Sequence, residues 1–313
     1  MAKKIVVLGS YVADVAFRAS RLPAWGETLL GSGFALGPGG KGSNQAVAAA
    51  RAGAAVQMLS RLGDDAFGHL ARETWAAAGV DASLVSTAAT PTGAAAILID
   101  EARGENAIIV VPGACFTLSP QDVEAAGAAI RSAGVLLTQL ELPLPTVERG
   151  LRLAREAGVR TILNPAPAQP LSDAVLELAD LLIPNESEAA LLTGLPVENR
   201  EQAETAARAL QRRGARCVIV TLGAQGALVC DGSGAAVLID ALHAGAVVET
   251  TGAGDAFCGG FAAALSEGAS VLEAARFGCA TAAISVTRAG TAPSMPAREE
   301  IDALLRRPVA PDA

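Results

Sequence analysis

Residues 135–183 read VLLTQLELPLPTVERGLRLAREAGVRTILNPAPAQPLSDAVLELADLLI. Three short apolar runs, at 135–139, 161–163 and 181–183, alternate with helical patterns at 145–157, closed by Gly158, and at 172–178. Short runs without polar interruption signal strands buried on both faces. A β-α-β-α-β order predicts parallel strands with helices packed on both sides of the sheet.

The alternation extends both ways. Upstream, 3–8 (KKIVVL) and 56–62 read as strands, and 43–51 and 68–78 as helices closed by Gly53 and Gly79, with Ser43 as N-cap of the first. Downstream come helices at 186–193 and 200–213, a strand at 217–221, a hairpin at 227–239, and helices at 255–267 and 271–287. The fold class is α/β, with a mostly parallel central sheet flanked by helices. Two further strands, 92–100 and 106–111, face an irregular segment at 13–37 that contains short strand-like stretches such as 28–30. Together these are expected to form a small sheet outside the main layer. The whole of 1–313 is read as one domain with this sheet inserted, and the tail from 308 to 313 as frayed.

Composition narrows the function. The chain has 313 residues, is 51% hydrophobic and carries a net charge of −8, with 3% aromatic residues. Nucleic-acid binding needs a basic face and stacking aromatics, so it is not expected. Five cysteines, at 115, 217, 230, 258 and 279, form no C-x-x-C pair. They read as buried thiols of a reducing, cytoplasmic compartment. No apolar run is long enough to span a bilayer, so no membrane partner is expected.

In parallel sheets ligands lie beyond the carboxyl ends of strands. Asp14, Glu141, Asn164, Asn185 and Thr221 all fall there. The strongest local feature is 250–260, TTGAGDAFCGG. Gly252 and Gly254 allow close backbone approach, and the helix start beyond them offers unpaired N–H groups and a dipole favouring negative charge. Asp255 at that start can take a proton from an attacking hydroxyl. An ordinary Asp N-cap after a glycine turn has the same pattern.

The second feature is 37–44, GPGGKGSN. It is not a Walker A loop, because positions 35 and 42 are Ala and Gly. Gly37, Gly39 and Gly42 match a dinucleotide fingerprint, but Pro38 interrupts it and no clean strand precedes it. The N–H groups of Gly39 and Gly40, the Lys41 ammonium and the Asn44 amide also suit a polyol; a solvated glycine loop is the plain alternative. In NESE (185–188), Asn185 suits a phosphate and Glu188 a water-bound Mg²⁺, or the pair simply caps a helix. TLGAQG (221–226) either follows a nucleotide or is a turn. His69 and His243 read as surface residues, and Asp64–Asp65 as a turn.

In combination and order these segments resemble the ribokinase (PfkB-type) carbohydrate kinase family. The resemblance rests on GSYVAD (9–14), GGKGSNQAVAAAR (39–51), GEN (104–106), QLELP (139–143), LNPAP (163–167), PNESEA (184–189), TLGAQG (221–226), GAGDAF (252–257) and TRAGTAPSMP (287–296). It implies a ribokinase-like fold whose small sheet, about 13–37 and 92–111, serves as a lid and as a homodimer contact. It implies ATP-dependent phosphorylation of the primary hydroxyl of a small sugar, foremost ribose. Asp14, Gly39, Gly40, Lys41, Asn44 and Glu141 would hold the sugar. Asp255 would be the base, with Gly252, Ala253 and Gly254 as anion hole. Asn185, Thr221, Gly223, Gly226, Gly254 and Cys279 would line the ATP site, and Glu188 would organise Mg²⁺. Potassium would sit beside Glu249, Thr251, Ser285, Arg288, Gly290 and Ser294.

Two positions depart from the family pattern. Val12 stands where an Asn usually lies, which opens the sugar to 2-deoxyribose, a hexose, a keto-deoxy acid or a nucleoside. Glu249 replaces the usual Asp of the cation site. A nicotinamide-dependent dehydrogenase and a non-catalytic binding protein on the same fold are the rival readings.

Overall fold

Ile5 and Val7 face one hydrophobic core and Val6 and Leu8 the other, and all four are fully buried. That alternation, repeated along the parallel strands, makes a sheet covered on both sides. The computed structural model describes residues 3–232 and 234–307, so the tail 308–313 lies outside the described residues. In chain order the strands are β1 (Ile5–Leu8), β2 (Val12–Ala19), β3 (Gly33–Gly39), β4 (Val56–Gly63), β5 (Asp81–Ala88), β6 (Thr92–Asp100), β7 (Glu105–Gly113), β8 (Val135–Thr138), β9 (Arg160–Leu163), β10 (Leu181–Leu182), β11 (Cys217–Thr221), β12 (Gly226–Cys230) and β13 (Val237–Asp240). The helices are α1 (Lys41–Arg51), α2 (Ala66–Ala78), α3 (Pro120–Ala125), α4 (Gly127–Ser132), α5 (Leu144–Glu156), α6 (Asp173–Leu176), α7 (Glu186–Thr193), α8 (Arg200–Arg212), α9 (Ala253–Ser266), α10 (Val271–Ser285) and α11 (Arg298–Leu305).

The large sheet has nine strands in the order β13-β12-β11-β10-β9-β8-β1-β4-β5. From β11 to β5 all pairings are parallel, and β12 and β13 add antiparallel at one edge. Helices α1, α2, α9, α10 and α11 bury their apolar residues on the Ile5 side. Helices α3 to α8 do so on the Val6 side. The parallel α/β reading of 135–183 therefore holds.

A separate four-stranded sheet has the order β3-β2-β6-β7, parallel between β2 and β6 and antiparallel elsewhere. Segment 13–37 is more regular than its composition suggests: it supplies most of β2 and β3, whereas 28–30 forms no strand. Pro38 sits inside β3 and Pro112 inside β7. Both are edge strands, where a missing N–H breaks no ladder.

Helix α1 corrects one expectation. It starts at Lys41, with Gly40 rather than Ser43 at the N-cap. The Ser43 hydroxyl instead accepts from the indole N–H of the fully buried Trp75 at 2.9 Å. Strand β5 and helices α3, α4 and α11 went unread in the sequence. β5 is a half-exposed edge strand without an apolar run. α3 does carry a readable start, Ser119 capping in a box with Asp122 and Pro120 in the first turn.

Two glycines set how closely the elements approach. A methyl group on Gly42 would fall 2.5 Å from Gly9 Cα and Ser10 N, so α1 can lie against the end of β1 only without one. One on Gly259 would collide with the Ala48 methyl and lie 2.6 Å from Gln45 O, which fixes the α1–α9 contact. Gly259→Ala is expected to cost about 1–3 kcal/mol by overpacking. Scanning calorimetry should show a melting temperature several degrees lower; an unchanged Tm would mean that the two helices part freely.

Candidate active site

α1 and α9 start beside one another. At 3.0 Å the Asn44 amide Nδ2 donates to Asp255 Oδ2, and at 2.9 Å the Gln45 amide Nε2 donates to Asp255 Oδ1. All three side chains are buried. α9 is entered through Gly252 at φ 81°, in the left-handed region, with no side-chain cap. Gly supplies that conformation without strain. The Ala253 N–H is taken by Thr250 O at 3.1 Å. Among the described residues no protein acceptor takes the N–H of Gly254 or Asp255. A methyl group on Gly254 would meet nothing within 4 Å, so this helix start opens onto free space. Together with the helix dipole it is a ready anion site.

On one side lie the residues expected to hold a polyol. Glu141 Oε2 accepts from the Ser10 hydroxyl and, at 2.8 Å, from the Lys41 backbone N–H. Gly39 leaves room for the Asp14 carboxylate, which a methyl group there would strike. Gly40, at φ 85°, passes so near Tyr11 and Val12 that a methyl group would be 2.8 Å from their backbone. The GGKG glycines thus serve close approach as well as presenting N–H groups. Val12 is 6% exposed at the start of β2. Asn44 Oδ1 is buried without a partner.

Charge concentrates here. Burial, then repulsion from Glu141, Asp255 and Glu249, raises the Asp14 carboxyl to about 6 from an ordinary 3.8. Burial works to lower the Lys41 ammonium, but Asp255, Glu141 and Glu188 together hold it above its usual value. Burial raises Glu188 despite the Asn185 N–H and Lys41, which oppose it.

Two adjoining cavities open on the other side. The smaller, about 150 Å³, is lined by Lys41, Asn164, Asn185, Glu188, Thr221, Gly252, Ala253, Gly254, Asp255 and Cys258 among others. The larger, about 460 Å³, shares Asn185, Thr221, Ala253 and Gly254 and continues along Gly223, Gly226, His243, Val247, Cys279, Ala283 and Val286. Its size suits a nucleotide-sized ligand. Asn185 and Thr221 are brought together by a bridge between their backbones. Asn185 also caps α7 reciprocally with Glu188, accepting the Glu188 N–H at 2.8 Å while its own N–H donates to Glu188 Oε2 at 2.9 Å. The capping alternative for NESE is therefore realised, with Glu188 still lining the smaller cavity. Cys279 is buried, and its thiol is pushed up to about 12, by burial first and by Asp240.

The residues expected around a monovalent cation come from the segment before α9 and from the stretch that runs from the end of α10 to Ser294. Gly290 N donates to Glu249 Oε2 at 2.8 Å, and Val248 N and Glu249 N both donate to Val286 O. This holds 249–251 against the segment carrying Ser285, Arg288, Gly290 and Ser294. The Arg288 guanidinium is engaged by Glu300 and its backbone N–H donates to Ser285 O at 3.2 Å. Thr291 donates to Pro38 O at 3.0 Å, joining this loop to β3. Among the described residues no cluster of three or more His, Cys, Asp or Glu side chains could hold a metal.

Sequence reading missed several lining residues. His243 is solvent-exposed, as expected, yet lines the larger cavity, as do Val247, Ala283 and Val286. The loop at 241–247 carries no periodic signal that would mark it. Ser10 and Gln45 were also missed; Gln45 was legible only as the neighbour of Asn44. His69 is exposed beside Asp64, and Asp65 caps α2.

The raised Asp14 carboxyl has a stability consequence. Its stabilising contribution is full below about pH 3.8 and lost as pH rises through about 6, because the folded state holds the proton more tightly. Asp14→Asn should therefore melt higher than the parent at pH 7.5, and the difference should shrink towards pH 4. Equal melting temperatures at pH 7.5 would show that Asp14 is not under this strain.

The chain is similar to known proteins over nearly its whole length. The family model of pfkB family carbohydrate kinases matches residues 2–298. A ribokinase of Haemophilus influenzae is 42% identical over 300 residues, covering 96% of this chain and 97% of its own. A deoxyribokinase of Salmonella typhi is 36% identical over 303 residues, covering 96% and 98%. Among solved structures, Arabidopsis thaliana ribokinase complexed with ribose and ATP superposes with a TM-score of 0.92 at 35% identity, over 98% of this chain and all of that one.

Proposed function

The chain belongs to the pfkB family of carbohydrate kinases, and from that premise we propose that it transfers the terminal phosphoryl group of ATP to the primary hydroxyl of ribose, giving ribose 5-phosphate and ADP. The observation that carries this reading is the buried Asp255 carboxylate at a helix start whose N–H groups face open space. A base and an anion site there lie within one turn of helix.

Asp14, Glu141, Asn44 and the backbone at Gly39 and Gly40 hold the sugar hydroxyls, with the unpartnered Asn44 Oδ1 as one acceptor for them. Asp255 accepts the hydroxyl proton as the oxygen bonds to phosphorus and the bond to the ADP oxygen breaks. Gly252, Ala253, Gly254 and Lys41 surround the charge that spreads over the transferring group. The nucleotide lies along Asn185, Thr221, Gly223, Gly226 and Cys279. The Glu188 carboxylate, buried and lining the smaller cavity, suits Mg²⁺ held through water with Asn185 beside it. That ion would supply neutralisation of the phosphate charge. The loops joined by Glu249 and Gly290 suit a potassium ion bound mainly by backbone carbonyls of Thr251, Ser285, Arg288, Gly290 and Ser294.

The small sheet acts as a lid over the sugar and, in a second role, as a homodimer surface. Its edge strand β7 leaves Ile108, Ile109, Val110 and Val111 more than half exposed, an unpaired apolar edge of the kind that chains cover by pairing. No described helix is long and apolar enough to cross a membrane. The five buried free cysteines fit a cytoplasmic setting.

A second reading, 2-deoxyribose as the preferred sugar, is favoured by Val12. This buried apolar side chain stands two residues before Asp14, where it offers a sugar hydroxyl no partner. An unpaired buried hydroxyl costs about 1–3 kcal/mol. Val12→Asn should raise kcat/KM for ribose relative to 2-deoxyribose by about tenfold or more. An unchanged ratio would remove Val12 from specificity. Asp255→Ala should cut ADP formation by orders of magnitude while leaving ATP affinity near that of the parent. Near-normal turnover in that variant would sink the base assignment.

A further inference from the structure

Three buried amides adjoin the base without a part in the chemistry above: Gln45 at 0% exposure, Gln139 at 1% and Asn164 at 8%. Their orientations are dictated from one end. Ile183 O, just beyond β10, is a backbone carbonyl and can only accept. Asn164 therefore turns its Nδ2 to it, at 2.9 Å. Asn164 Oδ1 is left facing Gln45, which must present its own Nε2, at 3.0 Å. The second hydrogen of that Nε2 goes to Asp255 Oδ1 at 2.9 Å. Gln45 Oε1 then needs a donor, and the Gln139 Nε2 supplies it at 2.6 Å.

The chain has one direction. Turning Gln45 over would set its oxygen against the Asp255 carboxylate and against Asn164 Oδ1. Turning Gln139 over would set two amide oxygens face to face. Gln139 keeps its orientation even though its own Oε1 is left buried without a partner. A buried unpaired acceptor is costly, so the orientation is set by Gln45's need for a donor and not by Gln139's own bonding. With Asn44 serving the other carboxylate oxygen, each oxygen of Asp255 is fixed by one neutral N–H donor.

We propose that Gln45, oriented by Asn164 and Gln139, is a positioning residue that sets the plane of the Asp255 carboxylate for proton abstraction from the sugar hydroxyl. This rests on Asp255 being the base. A carboxylate held by Asn44 alone could rotate about its single bond, and small errors of aim are expensive in a transfer that depends on alignment.

The test replaces Gln45 by Met, which keeps length and volume but lacks the N–H. ADP formation is measured against ribose and ATP in the full chain, with Asp255→Ala alongside and folding checked by circular dichroism. Gln45→Met is expected to lower kcat about 10- to 100-fold, the worth of a hydrogen bond to a charged group, with both KM values within about threefold of the parent. Gln139→Met, which leaves Gln45 Oε1 without its donor and so loosens the Gln45 side chain, should lower kcat in the same sense by less. A folded Gln45→Met enzyme with parent kcat, or a loss confined to the sugar KM, overturns the positioning role. If Gln45→Met does not fold, Gln139→Met is read by the same criteria. Near-normal turnover of Asp255→Ala overturns the premise itself. An inactive Asp255→Ala beside a parent-like Gln45→Met overturns only the inference drawn from it.

Discussion

The site depends on a contact that contains no chemistry. Gly259 lies against Ala48 and the backbone of Gln45 with no room for a methyl group. At that distance the starts of α1 and α9, 211 residues apart between Asn44 and Asp255, share hydrogen bonds. Helices that met through larger side chains would sit some ångströms further apart, beyond the reach of an amide. Gly42 plays the matching part below, letting α1 settle onto the end of β1. Close packing of small residues thus sets the geometry to which the polar groups are fitted.

The polar groups are in turn arranged against stability. Burial penalises the Asp14 carboxylate first, and Glu141, Asp255 and Glu249 stand near enough to repel it. Lys41 is the cation set among them. Water would screen such a group on a surface, but here its charges stay strong because little solvent intervenes. On the proposed reading this is what a kinase needs. Acceptors await sugar hydroxyls on one side of Asp255, and donors await phosphate on the other.

Much of this was legible in the chain. The parallel sheet could be read from 135–183, because strands buried on both faces leave uninterrupted apolar runs. The glycine-flanked start of α9 could be read from Gly252 and Gly254, whose function is conformational. What escaped had physical reasons. β5 is an edge strand with one wet face, so its residues look like a loop. β3 hides behind glycine and a proline that only an edge strand tolerates. The Ser43 cap was a sound local reading that tertiary structure overrode, since Trp75 claims the hydroxyl and Gly40 makes the turn. The cavity wall at 241–247 has no periodicity, and Gln45 gains meaning only when 139, 164 and 255 are brought around it.

Val12 lies on β2, in the small sheet, while Asp255 lies on α9, under the large one. Under the proposed roles, the choice of sugar and the transfer of phosphate are therefore written in different pieces of chain. The sheet bearing Val12 is joined to the rest by Thr291 on Pro38, by Thr92 with Gly63 and Asp65, by Ala13 in the main core and by the glycine-paved entry to α1. A lineage can alter the sugar it accepts by substitution in β2 without disturbing the buried carboxylate and its amides. Such a division of labour makes the fold easy to retarget, and relatives named for ribose and for deoxyribose at 42% and 36% identity are what it would leave behind.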